Sequence, residues 1–143
     1  MKKIALMIVM AAACQVANAQ QFNNKEIATK FFEAVVNEKN YDAAAKYLGK
    51  TYIEHDPVGV DGAVGLNMYI EYLRDKFPDS HVEIKRVIVD GDIVAFHVHE
   101  VNVPGTRGQA VVDMFRLDHG KVVEHWDVAQ DIPEKSANGN GMF

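Results

Sequence analysis

The chain has 143 residues, 48% of them hydrophobic, with 15 basic and 20 acidic side chains and a formal charge of −5. The acidic surplus argues against nucleic acid and against an anionic membrane surface as partners. A single cysteine, Cys14, excludes a disulfide framework within the chain.

Residues 1–19 read as a secretory signal peptide. Lys2-Lys3 is a basic start, and Ile4 to Ala13 is an apolar run too short for a permanent bilayer-spanning helix. Ala17-Asn18-Ala19 is a small-x-small cleavage signal before Gln20. The rival, a lipoprotein signal at Cys14, lacks a large aliphatic residue three positions upstream, where Ala11 stands. Cleavage leaves 124 residues with 13 basic and 20 acidic side chains, a charge of −7, and no cysteine. The mature protein is then expected in the periplasm or outside the cell, held by its core alone. It has no membrane partner after cleavage. Intact-mass analysis of the exported protein should give a chain beginning at Gln20, and a lipid on Cys14 would contradict that.

One domain is expected over 20–133, followed by a flexible tail over 134–143. Asn23-Asn24 reads as the cap of a helix from Lys25 to Glu38, with Ile27, Ala28, Phe31, Phe32, Val35 and Val36 forming an apolar stripe. Asn40 or Asp42 caps a short helix over 43–48, which Gly49 would stop. Tyr52 to Pro57 is an extended piece, followed by a glycine-rich loop over 58–65. A third helix is predicted over 66–77, with Leu66, Tyr69, Ile70, Leu73 and Phe77 inward and Pro78 as its stop. Strands over 82–89 and 93–101 flank the turn Asp90-Gly91-Asp92, and strands over 109–117 and 121–128 flank Asp118-His119-Gly120. Helices followed by antiparallel strands predict an α+β domain, a curved sheet wrapped around the first helix with a pocket between them. Residues 93–101 are apolar on both faces, which points to a homodimer through the outer sheet face. Trp126 would pack there.

The second hairpin holds the chemistry. A three-residue loop at 118–120 would pair Leu117 with Lys121, Asp113 with His125, and Val111 with Asp127. Asp113, His125 and Asp127 then share one face with Val111, Phe115 and Val123. Two carboxylates and an imidazole on a core-facing surface are costly to bury unless a cavity or partner uses them.

Tyr52-Ile53-Glu54-His55-Asp56-Pro57 with Asp61-Gly62, and the run from Arg116 to Asp127, resemble the SnoaL-like polyketide cyclase group of the nuclear-transport-factor-2-like superfamily. That resemblance implies the cone-shaped, cystatin-like α+β fold. It also implies ring closure by an intramolecular aldol step without metal or organic cofactor. An acidic residue near the end of the last strand serves as acid/base in those cyclases, and Asp127 stands at that place. Fourteen positions earlier they carry a histidine, where this chain has Asp113.

The expected site therefore has Asp127 as base, His55 as donor to a developing oxyanion, and Asp113 and His125 setting the base's pKa and orientation. His97, His99, Phe115, Phe31 and Tyr69 are expected to touch the ligand. His97 and His99, at i and i+2 of one strand, could also join His55, Asp113 and His125 around a metal, but the spacing is not diagnostic, and no metal or cofactor is expected. Three functions remain open: a lyase or isomerase acting beside a carbonyl, a non-catalytic module binding a small apolar ligand, and a metal-dependent variant.

Overall fold

The computed structural model describes residues 20, 21 and 23–143, so the expected signal peptide lies outside the described residues. The first helix, α1, takes in residues 20, 21 and 23–36. Asn24 is not its cap. It is 2% exposed inside the helix, and its Nδ2 donates to the carbonyl of Gly91, tying α1 to a distant turn. Ala28, Phe31, Phe32 and Val35 are the buried stripe. A single turn, α2 (Tyr41–Ala44), is capped by Asn40, whose side chain accepts from the backbone N–H of Ala43. The helix predicted over 43–48 gives way at its end to a strand, β1 (Leu48–Glu54), with Gly49 inside it. The third helix, α3 (Gly62–Lys76), starts earlier than predicted and buries Leu66, Ile70 and Leu73, while Tyr69 stays half exposed. Then come β2 (His81–Asp90), β3 (Ile93–Val101), β4 (Gln109–Asp118) and β5 (Lys121–Asp131).

The five strands form one curved sheet in the order β1-β5-β4-β3-β2. All neighbours are antiparallel except β1 and β5, which run parallel and make the sheet mixed. Phe31 and Phe32 of α1 sit on the concave face. Phe32 stacks on Phe96 at 5.1 Å, and Phe31 meets Phe115 edge-on at 5.6 Å. Such pairs add about 0.5–1.5 kcal/mol each beyond their area burial. Val94, Phe96 and Val98 are fully buried beneath the helices.

The β4–β5 hairpin departs from its expected register. The turn has two central residues, His119 (φ 47°) and Gly120 (φ 72°), both left-handed as a type I′ turn requires. Asp118 therefore pairs with Lys121 and Leu117 with Val122. One residue later a bulge at Val123 shifts the ladder, so that Arg116 faces Glu124 and Asp113 faces Asp127, not His125. Gly49 makes room for the bulge: a Cβ at that position would lie 2.5 Å from Val123 Cγ1. Asp113, His125 and Asp127 still share the concave face.

Candidate active site

A cavity of about 440 Å³ opens between α1, α3 and the concave face of the sheet. Phe31, Phe32, Val35, Leu66, Met68 and Phe115 give it apolar walls, and Glu54, Asp56, Asp113, His125 and Asp127 form its polar end. Phe31, Phe115 and Tyr69 line the cavity.

His125 is the hub of the polar end. Its Nδ1 lies 2.8 Å from Oε1 and 3.0 Å from Oε2 of Glu54, and its Nε2 lies 3.4 Å from Oδ1 of Asp113. A ring with a carboxylate at each nitrogen donates to both only as imidazolium. Burial alone would lower its pKa, but hydrogen bonds to Asp113 and Glu54 and their charges outweigh that and push it up to about 9. The ring also stacks on Phe115 at 4.8 Å, which suits a cation over an aromatic face.

Glu54 is the residue that sequence reasoning missed. It pairs with His125 across the parallel β1–β5 ladder, so both point into the cavity. Tyr52 donates its hydroxyl to Glu54 Oε2 at 3.2 Å, and the Asp56 backbone N–H donates to Oε1 at 3.0 Å. Burial acts to raise its pKa, but the contact with His125 prevails and holds it below the usual carboxylate range. The following loop folds tightly over it: a Cβ on Gly59 would lie 2.3 Å from Glu54 Cγ. The signal was available, because Tyr52, Glu54 and Asp56 alternate in phase and Tyr52 is the apolar member.

The same alternation removes His55. Its ring lies on the outer face, stacked on Trp126 at 4.7 Å with planes 4° apart. Its Nε2 meets Glu124 Oε1 at 2.8 Å, and Arg116 holds the other Glu124 oxygen at 2.6 Å. His55 therefore cannot assist an oxyanion in the cavity. His97 and His99 are also on the outer face. Arg86 donates to His97 Nδ1 at 2.8 Å, and Phe143 from the tail covers both rings, at 5.5 Å from His97 and 4.5 Å from His99. None of the three joins Asp113 and His125: odd-numbered residues of β3 face outward while those of β4 face inward, and at the end of β1 it is Glu54, not His55, that is in phase with His125.

Asp127 differs from its neighbours. No hydrogen bond among the described residues engages its carboxylate. Burial lifts its pKa above the ordinary aspartate value; His125 opposes this, and Asp113, directly across the ladder, adds to it. Asp113 is 8% exposed, and burial raises its pKa against the pull of His125. Asp127 is thus a free carboxylate of raised basicity at the edge of an apolar chamber, next to a fixed cation.

Asp113, His125 and Asp127 could also hold a divalent cation, since one ligand atom of each lies within 4.8 Å of the others. Glu54 on Nδ1 would orient the ring as second carboxylates often do for metal-bound histidines. A metal would have to replace the Nε2 proton. Chelation followed by thermal melting is expected to leave stability unchanged; a stoichiometric metal, or stability lost with chelator, would establish the metal-dependent variant.

This arrangement defines a class: an α+β cone with a small-molecule cavity whose polar end rests on the last two strands. The chain belongs to the SnoaL-like domain family, whose model matches residues 28–125. Similar solved structures include a candidate polyketide cyclase from Acidithiobacillus ferrooxidans, 23% identical, with a TM-score of 0.63 over 75% of this chain and 87% of that one. TsrD from Streptomyces laurentii is 18% identical, with a TM-score of 0.64 over 76% and 89%. An uncharacterised cystatin-fold protein from Novosphingobium aromaticivorans is 20% identical, with a TM-score of 0.63 over 73% and 97%. Among curated proteins, none matches.

Proposed function

We propose that the protein is an exported, cofactor-free lyase or isomerase that moves a proton beside the carbonyl of a small, largely apolar molecule, with Asp127 as acid/base. The observation that supports this most is the Asp127 carboxylate itself, unengaged and raised in pKa while the adjoining His125 is held by two other carboxylates. A general base works best when its pKa approaches the operating pH. Glu54, Asp113 and His125 position and tune it. Tyr69 replaces His55 as the donor to the enolate oxygen: it lines the cavity, and the desolvation of its hydroxyl there and the nearby Asp113 raise its pKa, so it keeps its proton although its ring is half exposed. The test is exchange of the α-protons of 1-tetralone in D₂O, followed by NMR. Exchange accelerated by the protein supports the reading. Binding of the ketone without acceleration would make the protein a carrier instead.

The outer sheet face is proposed as a dimer interface. Ile53 and Val128 are 42% and 67% exposed there, beside the His55–Trp126 stack. Trp126→Asp should shift light scattering at micromolar concentration toward the monomer while leaving ligand binding in the cavity intact. A wild-type protein that is already monomeric would refute the interface.

A further inference from the structure

A second, smaller chamber of about 130 Å³ adjoins the main cavity. Phe32, Val36, Tyr69, Asp113 and Asp127 line both, and the two carboxylates are the charged groups of the waist between them. The volume is that of about four waters. Its polar walls come from Glu100, Gln109, Ser80 and the exposed His81 on the far side of the waist, with the Tyr69 hydroxyl shared by both chambers. Acceptors outnumber donors among them. Gln109 donates its Nε2 to Asp131 at 2.7 Å, leaving its carbonyl oxygen free, and Ser80 donates its hydroxyl to the carbonyl of Phe77. Asp113, more than nine-tenths buried, gives one oxygen to His125, and no hydrogen bond among the described residues takes the other. Among the described residues, no lysine or arginine lines either chamber. Lys39 gives its ammonium to the Ser80 carbonyl.

We propose that the two chambers hold one amphiphilic ligand, whose apolar body fills the large chamber and whose hydrogen-bond-donating head passes the Asp113–Asp127 waist to reach Glu100 and Gln109. The head is a hydroxyl or an amine and not a carboxylate or phosphate, because the three carboxylates Glu100, Asp113 and Asp127 outweigh the exposed His81 imidazole and the Tyr69 hydroxyl there and would repel an anion. This rests on the reading of the cavity as a small-molecule pocket and adds which molecules it selects.

The test uses a matched probe series: 2-methoxynaphthalene, 2-(2-naphthyloxy)ethanol, 2-(2-naphthyloxy)ethylamine and (2-naphthyloxy)acetate. Binding is read from amide chemical shifts of the labelled mature protein. The alcohol and the amine should bind about tenfold tighter than the ether, which is the worth of one or two net hydrogen bonds, and should shift the Glu100 and Gln109 amides. The acetate should bind more weakly than the ether. Ala129, an exposed β5 residue, lines only the small chamber. Ala129→Leu should remove the gain of the alcohol and leave the ether unchanged. An acetate that binds as tightly as the alcohol, or a gain that survives Ala129→Leu, overturns the head-group assignment and leaves the cavity reading standing. If no member binds, the ether included, both fall.

Discussion

Asp127→Asn should lower protein-catalysed α-proton exchange by about 10²–10⁴-fold, the usual contribution of a positioned general base, and leave the fold intact. Asparagine keeps the size and polarity of the side chain and removes only its basicity. The folded-state pKa of Asp127 lies above its ordinary value. The ionised group therefore opposes folding, increasingly as pH rises from the ordinary aspartate range through the raised value. The variant escapes that penalty, so its stability at neutral pH should match or exceed that of the wild type. The wild-type exchange rate should rise with pH as Asp127 loses its proton, and the variant should lack that limb. Urea unfolding and rate–pH profiles measure both effects. Full activity in Asp127→Asn would remove Asp127 from the mechanism. Unchanged affinity for neutral ligands, with no activity in either protein, would leave a binding module.

His125→Leu should be the most destabilising change at the site. It leaves Glu54 and Asp113, whose side chains are only 12% and 11% exposed, without the cation between them. Removing one partner of a buried ion pair costs about 3–5 kcal/mol, a fall in melting temperature on the order of 10 °C for a chain of this size. The pH dependence separates this from simple loss of packing. His125 has a folded-state pKa of about 9, above the ordinary imidazole value of 6.5. Its stabilisation is complete below the ordinary value and is lost as pH rises through about 9. Glu54 has a lowered pKa, so its contribution is present above the ordinary glutamate value and is lost as pH falls through the folded one. Wild-type stability should therefore decline between about pH 6.5 and 9, and His125→Leu should show no such decline. An imidazole that titrates between 6 and 7 by NMR, or a variant as stable as the wild type at pH 7, would contradict the clamp.

The α+β order, the strand limits over 93–101 and the inward face of the last hairpin were legible in the sequence, because alternation and helical spacing report burial directly. The face was right for a reason the sequence conceals. A three-residue loop and a two-residue turn followed by a one-residue bulge shift the ladder by different amounts but in the same phase, so Asp113, His125 and Asp127 stay together while their cross-strand partners change. The parallel pairing of β1 with β5 was not legible, since partners distant in sequence leave no local periodicity. That pairing brings Glu54 to His125, and without it the Glu-His-Asp run at 54–56 offered His55 as the more reactive-looking residue. The outward histidines of β3 could not be separated from a pocket set without knowing which face of that strand the helices cover.

Gly49 lies on the edge strand, in none of the cavity walls, yet it accommodates the bulge that keeps His125 and Asp127 inward. Any larger residue presses on Val123 Cγ1 and on the backbone carbonyls of Val122 and Thr51. If the bulge were lost and the two-residue turn kept, each later position of β5 would turn over, presenting Glu124, Trp126 and Val128 to the cavity. The identity of the site's chemistry is thus set by a missing side chain at its periphery. A screen that scored only activity would count Gly49 among the catalytic positions, although it touches no ligand and carries no reactive group.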